Sequence, residues 1–196
     1  MSRRILFIAE DGVDDMELYY AYYRVLEEGY TPLIASSSKY TSRLVYDEAT
    51  GGYRREERLI QGKRGYTFRV DLTYAEALSA SPFDALVIPG GRSPERARLH
   101  GEAKELVRVH LENFKPILAI CHGPLLLASV GALRGRRVTG HPGIGDDLRN
   151  AGAIYTGAPA EADECIVTTR HTTTIHEGVR LFMRVLREGC LRPYTR

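Results

Sequence analysis

Pro116-Ile117-Leu118-Ala119-Ile120-Cys121-His122-Gly123-Pro124 decides how this chain reads. The run from Pro116 to Ile120 is apolar without a break, as in a strand buried on both faces. It passes straight into Gly123-Pro124, where proline suits the first turn of a helix. Ala119 and Gly123 lie two before and two after Cys121. A tight strand-to-helix elbow tolerates only small residues at those flanks, and it presents the residue at its tip for nucleophilic chemistry. Cys121 fills that slot. Unpaired N–H groups and the dipole at a helix start are expected to draw its thiol toward thiolate.

Strands and helices alternate outward from this point. Apolar runs at Ile5 to Ala9, Pro32 to Ala35, Asp84 to Ile88, Arg137 to Thr139 and Glu164 to Thr168 read as further strands. Helical spacing appears at Asp15 to Glu28, Glu102 to Asn113, Pro124 to Val130, Asp146 to Asn150 and Thr173 to Glu188. In the first helix the spacing of Met16, Tyr19, Tyr20, Tyr23 and Leu26 marks the apolar face, with Gly29 as the stop. The tyrosines lie on more than one face, so part of the stripe is expected in the core and part at a subunit interface. Buried strands separated by helices predict an α/β fold, a three-layer sandwich with a mostly parallel, flavodoxin-like central sheet. One domain over residues 1–196 is expected, interrupted by a loop or hairpin insertion at Ser36 to Arg69, where Tyr66, Phe68 and Val70 alternate.

Composition bounds the function. The chain has 196 residues, 43% hydrophobic and 27% charged, enough for one core that hides roughly 70% of the unfolded surface. A net charge of +2 gives no basic excess to recruit nucleic acid or a membrane surface. Ser2-Arg3-Arg4 is followed by too short an apolar run for a signal peptide. Three cysteines, far apart, fit a reducing compartment, so a cytoplasmic protein without disulfide or metal site is expected.

Ligands of an open parallel sheet collect beyond the carboxyl ends of its strands. Besides Cys121 and the neighbouring proton carrier His122, three such loops carry candidates. Pro89-Gly90-Gly91-Arg92 lets backbone approach a substrate and aim N–H groups at an oxyanion, and it is followed by Ser93-Pro94-Glu95-Arg96. Five carboxylates, Glu10, Asp11, Asp14, Asp15 and Glu17, open the first helix; Glu17, inside its first turn, can act as general acid and base if burial keeps it partly protonated. His141 and His171 follow later strands and are expected to point into the same crevice.

These pieces, with Asp14-Asp15-Met16-Glu17 and Pro142-Gly143-Ile144-Gly145-Asp146-Asp147, resemble the DJ-1/PfpI superfamily within the class I glutamine amidotransferase-like fold, in the family's order from residue 4 to about 188. The Pro-Gly-Gly-Arg, Pro-Glu-Arg and Cys-His-Gly-Pro set looks most like the PfpI branch of intracellular peptidases and related glyoxalases. The resemblance implies Cys121 as nucleophile, Glu17 as its buried carboxyl partner and His122 as the family histidine. It implies Glu95 as an acid that reaches the Cys-His pair of a neighbouring subunit, and Gly90 and Gly91 as the oxyanion wall. It also implies a homo-oligomer, a dimer or a hexamer of dimer type, and no cofactor. Three features depart from the PfpI pattern. His141 replaces a common aromatic residue and matches the histidine of the DJ-1 branch. Arg170-His171-Thr172-Thr173 replaces an Arg-x-Pro-x-Asp type of segment, and the 36–69 insertion resembles the longer form of glyoxalase III relatives.

The function implied is glyoxalase III-like or deglycase action on methylglyoxal-type α-oxoaldehydes or their adducts. The alternatives are an intracellular cysteine peptidase acting on small peptides, and a stress chaperone or redox sensor using Cys121 as an oxidisable thiol.

Overall fold

A computed structural model describes residues 3–190; both ends of the expected 1–196 domain lie outside the described residues. Seven strands form the central sheet: β1 (Arg4–Ile8), β2 (Thr31–Ser36), β7 (Leu72–Thr73), β8 (Ala85–Ile88), β9 (Ile117–Ile120), β12 (Ala160–Asp163) and β13 (Ile166–Thr169). Their order is β12-β13-β9-β8-β1-β2-β7, parallel throughout except for the edge pair β12 and β13. Without the edge strands β7 and β12 the order is that of a flavodoxin-like sheet, with its switch point between β1 and β8.

Alternation along the strands builds two cores. Ile5, Phe7 and Ala9 turn to one face, packed with Val87, Leu118 and Ile120 under α1 (Asp15–Glu27) and α7 (Ile175–Glu188). Leu6 and Ile8 turn to the other, with Leu86, Ile88, Ile117 and Ala119 under α2 (Tyr74–Ala80), α4 (Gly101–Glu112) and α5 (Pro124–Ala128). Each of the Ile, Leu, Val and Phe side chains among these, fully removed from water, contributes about 1.5–3 kcal/mol. Short α3 (Ser93–Ala97) and α6 (Gly145–Asn150) and the two-stranded pair β10 (Arg137–Val138) and β11 (Ile154–Tyr155) complete the rim.

The structure corrects the face of α1. Its buried residues are Asp15, Glu17, Leu18, Ala21 and Val25, whereas Met16 is 54%, Tyr23 56% and Leu26 44% exposed. The helix has apolar residues all round, and the face that meets the sheet is the one that also brings Glu17 inward. The 36–69 insertion is two hairpins, β3 (Tyr40–Asp47) with β4 (Gly52–Glu57) and β5 (Leu59–Gln61) with β6 (Thr67–Arg69). Arg58 anchors it, donating to both Glu10 and Asp11.

The expectation of no disulfide is also overturned: Cys165 and Cys190 are bonded. β13 runs up the sheet and α7 returns along it, so the residue just before the strand meets the residue just after the helix. Cys121 is the free cysteine. The count of three therefore carries no argument for a reducing compartment. No helix among the described residues is long and apolar enough to cross a membrane.

Candidate functional site

The elbow forms where β9 ends. Cys121 has φ +58°, an unusual conformation for a residue with a side chain, and its backbone is fixed on both sides by Cys121 N–H to Thr169 O (2.9 Å) and His141 N–H to Cys121 O (2.9 Å). Gly90 makes room for it. A Cβ at Gly90 would stand 2.6 Å from Glu17 Oε2 and 2.8 Å from Cys121 Cβ. The next residue, Gly91, has φ +71° and packs against the Gly12 and Asp14 backbone so closely that no side chain fits.

Glu17 is fully buried. Its Oε2 accepts the Gly90 N–H at 2.7 Å and its Oε1 accepts the Thr172 hydroxyl at 2.8 Å. Burial, then the nearby Asp14 carboxylate, raise its pKa to about 7, against the opposing pull of those two hydrogen bonds and Lys63. The Cys121 thiol is pushed up too, by burial and then by the charge of the neighbouring Glu17 carboxylate. This corrects the expected helix-driven thiolate: α5 has five residues, and desolvation beside a carboxylate outweighs its dipole. The resting pair holds its proton rather than sharing a bare thiolate with solvent.

Three imidazoles line the opening. His122 Nδ1 lies 3.3 Å from Cys121 Sγ. The His122 ring stacks on His141 at 4.7 Å between centroids, and the His171 ring lies tilted against His141 at 5.7 Å. His141 Nδ1 accepts the Gly143 N–H at 3.0 Å and His171 Nδ1 accepts the Thr173 N–H at 3.3 Å. In neutral His141 and His171 these bonds place the ring proton on Nε2. Burial lowers the pKa of His122, as it does that of His141, and each of these two rings is pushed the same way by its neighbouring imidazole.

Of the eight residues singled out in the sequence, His122, Glu17 and Gly90 gather at Cys121, Gly91 follows Gly90 in the chain, and His141 and His171 extend the row of imidazoles from His122. The Gly90 N–H is spent on Glu17, so it donates nothing to an oxyanion. Gly91 N–H and His122 N–H make no hydrogen bond among the described residues. Glu95 stands one step back. Its carboxylate pairs with Arg92 Nε at 3.3 Å, and its charge acts on His122 from within the same chain.

Two functional neighbours went unremarked in the sequence. Thr172 was visible within the departing Arg170-His171-Thr172-Thr173 segment, but nothing local ties it to a carboxylate 155 residues away. Lys63 sits in Gly62-Lys63-Arg64-Gly65, the β5–β6 turn, whose glycines signal a turn and not its destination. Its ammonium pairs with Asp14, the buried cap of α1, whose Oδ1 accepts the Met16 and Glu17 N–H groups. Asp15 in turn holds the same hairpin by accepting Arg64 N–H and Tyr66 N–H.

A model of the DJ-1/PfpI family matches residues 3–184 of this chain. Deglycase PfpI of Pyrococcus furiosus is 39% identical over 184 residues, covering 94% of this chain and 99% of the relative. The putative cysteine protease YraA of Bacillus subtilis is 34% identical over 170 residues, covering 87% and 90%. Drosophila melanogaster DJ-1beta superposes with a TM-score of 0.80 at 22% identity, over 95% of this chain and 91% of that one, a likeness of fold.

Proposed function

The chain belongs to the DJ-1/PfpI family, and from that premise we propose that it is a cysteine-nucleophile enzyme acting on methylglyoxal-type α-oxoaldehydes or their adducts, in the manner of a glyoxalase III or deglycase. One observation carries the reading: the Cys121 thiol at a strained elbow faces a buried carboxyl, Glu17, whose pKa of about 7 equips it both to take and to return a proton near neutrality. The Deglycase names of relatives such as that of Pyrococcus furiosus support it.

In this reading Glu17 accepts the thiol proton as Sγ attacks the aldehyde carbon. The C–S bond forms, the carbonyl π pair moves to oxygen, and that oxygen is protonated to a hemithioacetal. Gly91 N–H and His122 N–H are the donors for the developing oxyanion. A base, Glu17 or the His122–His141 pair, then removes the proton on the attacked carbon. Its return to the neighbouring carbon converts the enediol to a thioester. Water cleaves the thioester, and the thiol regains its proton.

Peptidase action is the second reading, favoured by the influence of Glu95 on His122 within one chain and by the likeness to YraA. Among the described residues no imidazole N–H donates to Glu95, whose carboxylate pairs with Arg92 instead. The redox-sensor reading has less support, because oxidation follows thiolate character and this thiol is held protonated. The deciding experiment assays methylglyoxal, glyoxal and short peptides side by side. Methylglyoxal consumption that disappears in Cys121→Ala is expected; consumption equal in both proteins sinks the proposal.

A further inference from the structure

The second hairpin of the insertion, β5–β6, takes no part in the steps above, yet it is laced to the site through the segment Gly12 to Asp15. Val13 bridges two partners, Gly62 of the hairpin turn in parallel and Gly91 in antiparallel. On the hairpin side Gly12 N–H donates to Gln61 O at 2.6 Å and Lys63 N–H to Val13 O at 2.9 Å. On the other side Arg92 N–H donates to Gly12 O at 2.8 Å and Asp14 N–H to Gly90 O at 3.2 Å. The three segments form a miniature sheet with Val13 in the middle. The last two bonds flank Gly91, so its own N–H turns away from Val13, as in a non-hydrogen-bonded pair of an antiparallel ladder.

One buried carboxyl holds the turn in place. Asp15 is buried; its Oδ2 accepts Arg64 N–H at 2.8 Å and its Oδ1 accepts Tyr66 N–H at 3.1 Å. Gly62 lies against the same group, so closely that a Cβ there would stand 2.0 Å from Oδ1. Burying a carboxyl without its donors is costly, so the turn cannot slide along Val13 without stranding Asp15. The thiol and its partner are fixed from elsewhere. The Cys121 backbone is bonded to Thr169 and His141, and the Glu17 carboxyl to Gly90 and Thr172.

We propose that Asp15 and Gly62 are positioning residues for the oxyanion donor: by seating the hairpin turn against Val13 they set the place of the Gly91 N–H, which makes the insertion part of the catalytic apparatus. This rests on the reading above, in which Cys121 attacks a carbonyl and Gly91 N–H receives the oxyanion, and it is independent of which carbonyl is turned over.

Two reagents at Cys121 separate the donor from the thiol. Sγ attacks the acetyl carbon of p-nitrophenyl acetate; the carbonyl π pair moves to oxygen, then returns to expel p-nitrophenolate and leave the acetyl thioester of Cys121. With iodoacetamide an Sγ–C bond forms and iodide departs with the bonding pair, so no oxyanion arises. In both reactions the thiol proton passes to Glu17. In the unaltered protein the ratio of acetylation to alkylation rate constants should exceed that of a free small thiol such as N-acetylcysteine. The ratio should fall roughly tenfold in Gly62→Ala and in Asp15→Asn, whose amide would turn an N–H toward one of the two donors, with alkylation unchanged; losing a whole oxyanion donor costs about 10²–10³. A ratio unmoved in both variants overturns the brace alone. So does a fall seen only with a changed alkylation rate or circular dichroism spectrum, which marks general disruption. An unaltered protein whose ratio is no higher than that of N-acetylcysteine overturns the oxyanion reading and the brace together.

Discussion

Thr172 donates its hydroxyl to Oε1 of Glu17 at 2.8 Å, joining the loop after β13 to the first turn of α1. This bond favours the ionised carboxyl and opposes burial. Thr172→Val removes it, so the Glu17 pKa should rise further. If ionised Glu17 is the base for the thiol, the limb of Cys121 alkylation by iodoacetamide that follows this ionisation moves to higher pH by on the order of one unit, since a hydrogen bond to a charged group is worth about 1.5–3 kcal/mol. Thr172→Ser keeps the donor and should keep the profile. Identical profiles for all three proteins would show that the hydroxyl does not tune the carboxyl.

Gly90→Ala tests the close approach of backbone to the site. The added methyl would sit 2.6 Å from Glu17 Oε2 and 2.8 Å from both Cys121 Cβ and the Ile120 carbonyl oxygen. The carboxyl and thiol are expected to separate, with a loss of about 1–3 kcal/mol in a denaturant melt and slower alkylation of Cys121. A variant as stable and as reactive as the parent would contradict this packing.

The elbow and the parallel sheet were legible because both are local: an apolar run, then small residues around Cys121. So were most helices, although α2 escaped notice despite its Thr73-Tyr74-Ala75-Glu76 box, in which Thr73 accepts the Glu76 N–H and Glu76 accepts the Thr73 N–H. What could not be read was set by tertiary contact. The face of α1 that meets the sheet could not be singled out because Tyr19, Tyr20 and Tyr23 look as apolar as Leu18, Ala21 and Val25; Tyr19 and Tyr20 do pack against the core, while Tyr23 is exposed. The direction of the Cys121 shift depends on a carboxylate more than a hundred residues away, and the Lys63 position depends on where a hairpin folds back. Neither leaves a periodic mark.

Unfolding without reductant should expose one titratable thiol, and unfolding with reductant three, because Cys165 and Cys190 are joined and Cys121 is free. The bond spans 25 residues, for which the chain-entropy account gives about 3.5 kcal/mol. Reduction should therefore lower the melting temperature, and Cys190→Ser should melt at that lower temperature whether or not reductant is present. Three thiols reacting in unfolded, unreduced protein would refute the pairing.

The stripe of Met16, Tyr23 and Leu26 on α1 is exposed in the single chain, and Tyr19 carries the aromatic cluster on through Tyr66 and Phe68. A homo-oligomer that uses this face would cover it. Light scattering behind a sizing column should then give a multiple of 21.9 kDa, and Tyr23→Asp should shift it toward monomer without changing the circular dichroism spectrum. An unaltered protein that elutes as a monomer at micromolar concentration rules the interface out.

Glu17 sets stability against function. Its pKa is about 7 in the folded chain and 4.5 in the reference state, so the folded protein binds its proton more tightly than the unfolded one. The stabilisation is then complete below pH 4.5 and is lost as pH rises through about 7, which amounts to about 3 kcal/mol for a shift of this size. Glu17→Gln cannot ionise and keeps an oxygen for the Gly90 N–H. At pH 8 it should therefore be more stable than the parent by about 2–3 kcal/mol in a urea titration, a margin that shrinks toward zero near pH 4.5. The same variant should lose most of its Cys121-dependent turnover, since it has no carboxyl to receive the thiol proton. A Gln variant less stable than the parent at pH 8 would mean that Glu17 is comfortable as a carboxylate, and with it the proton exchange between Glu17 and Cys121 would fall.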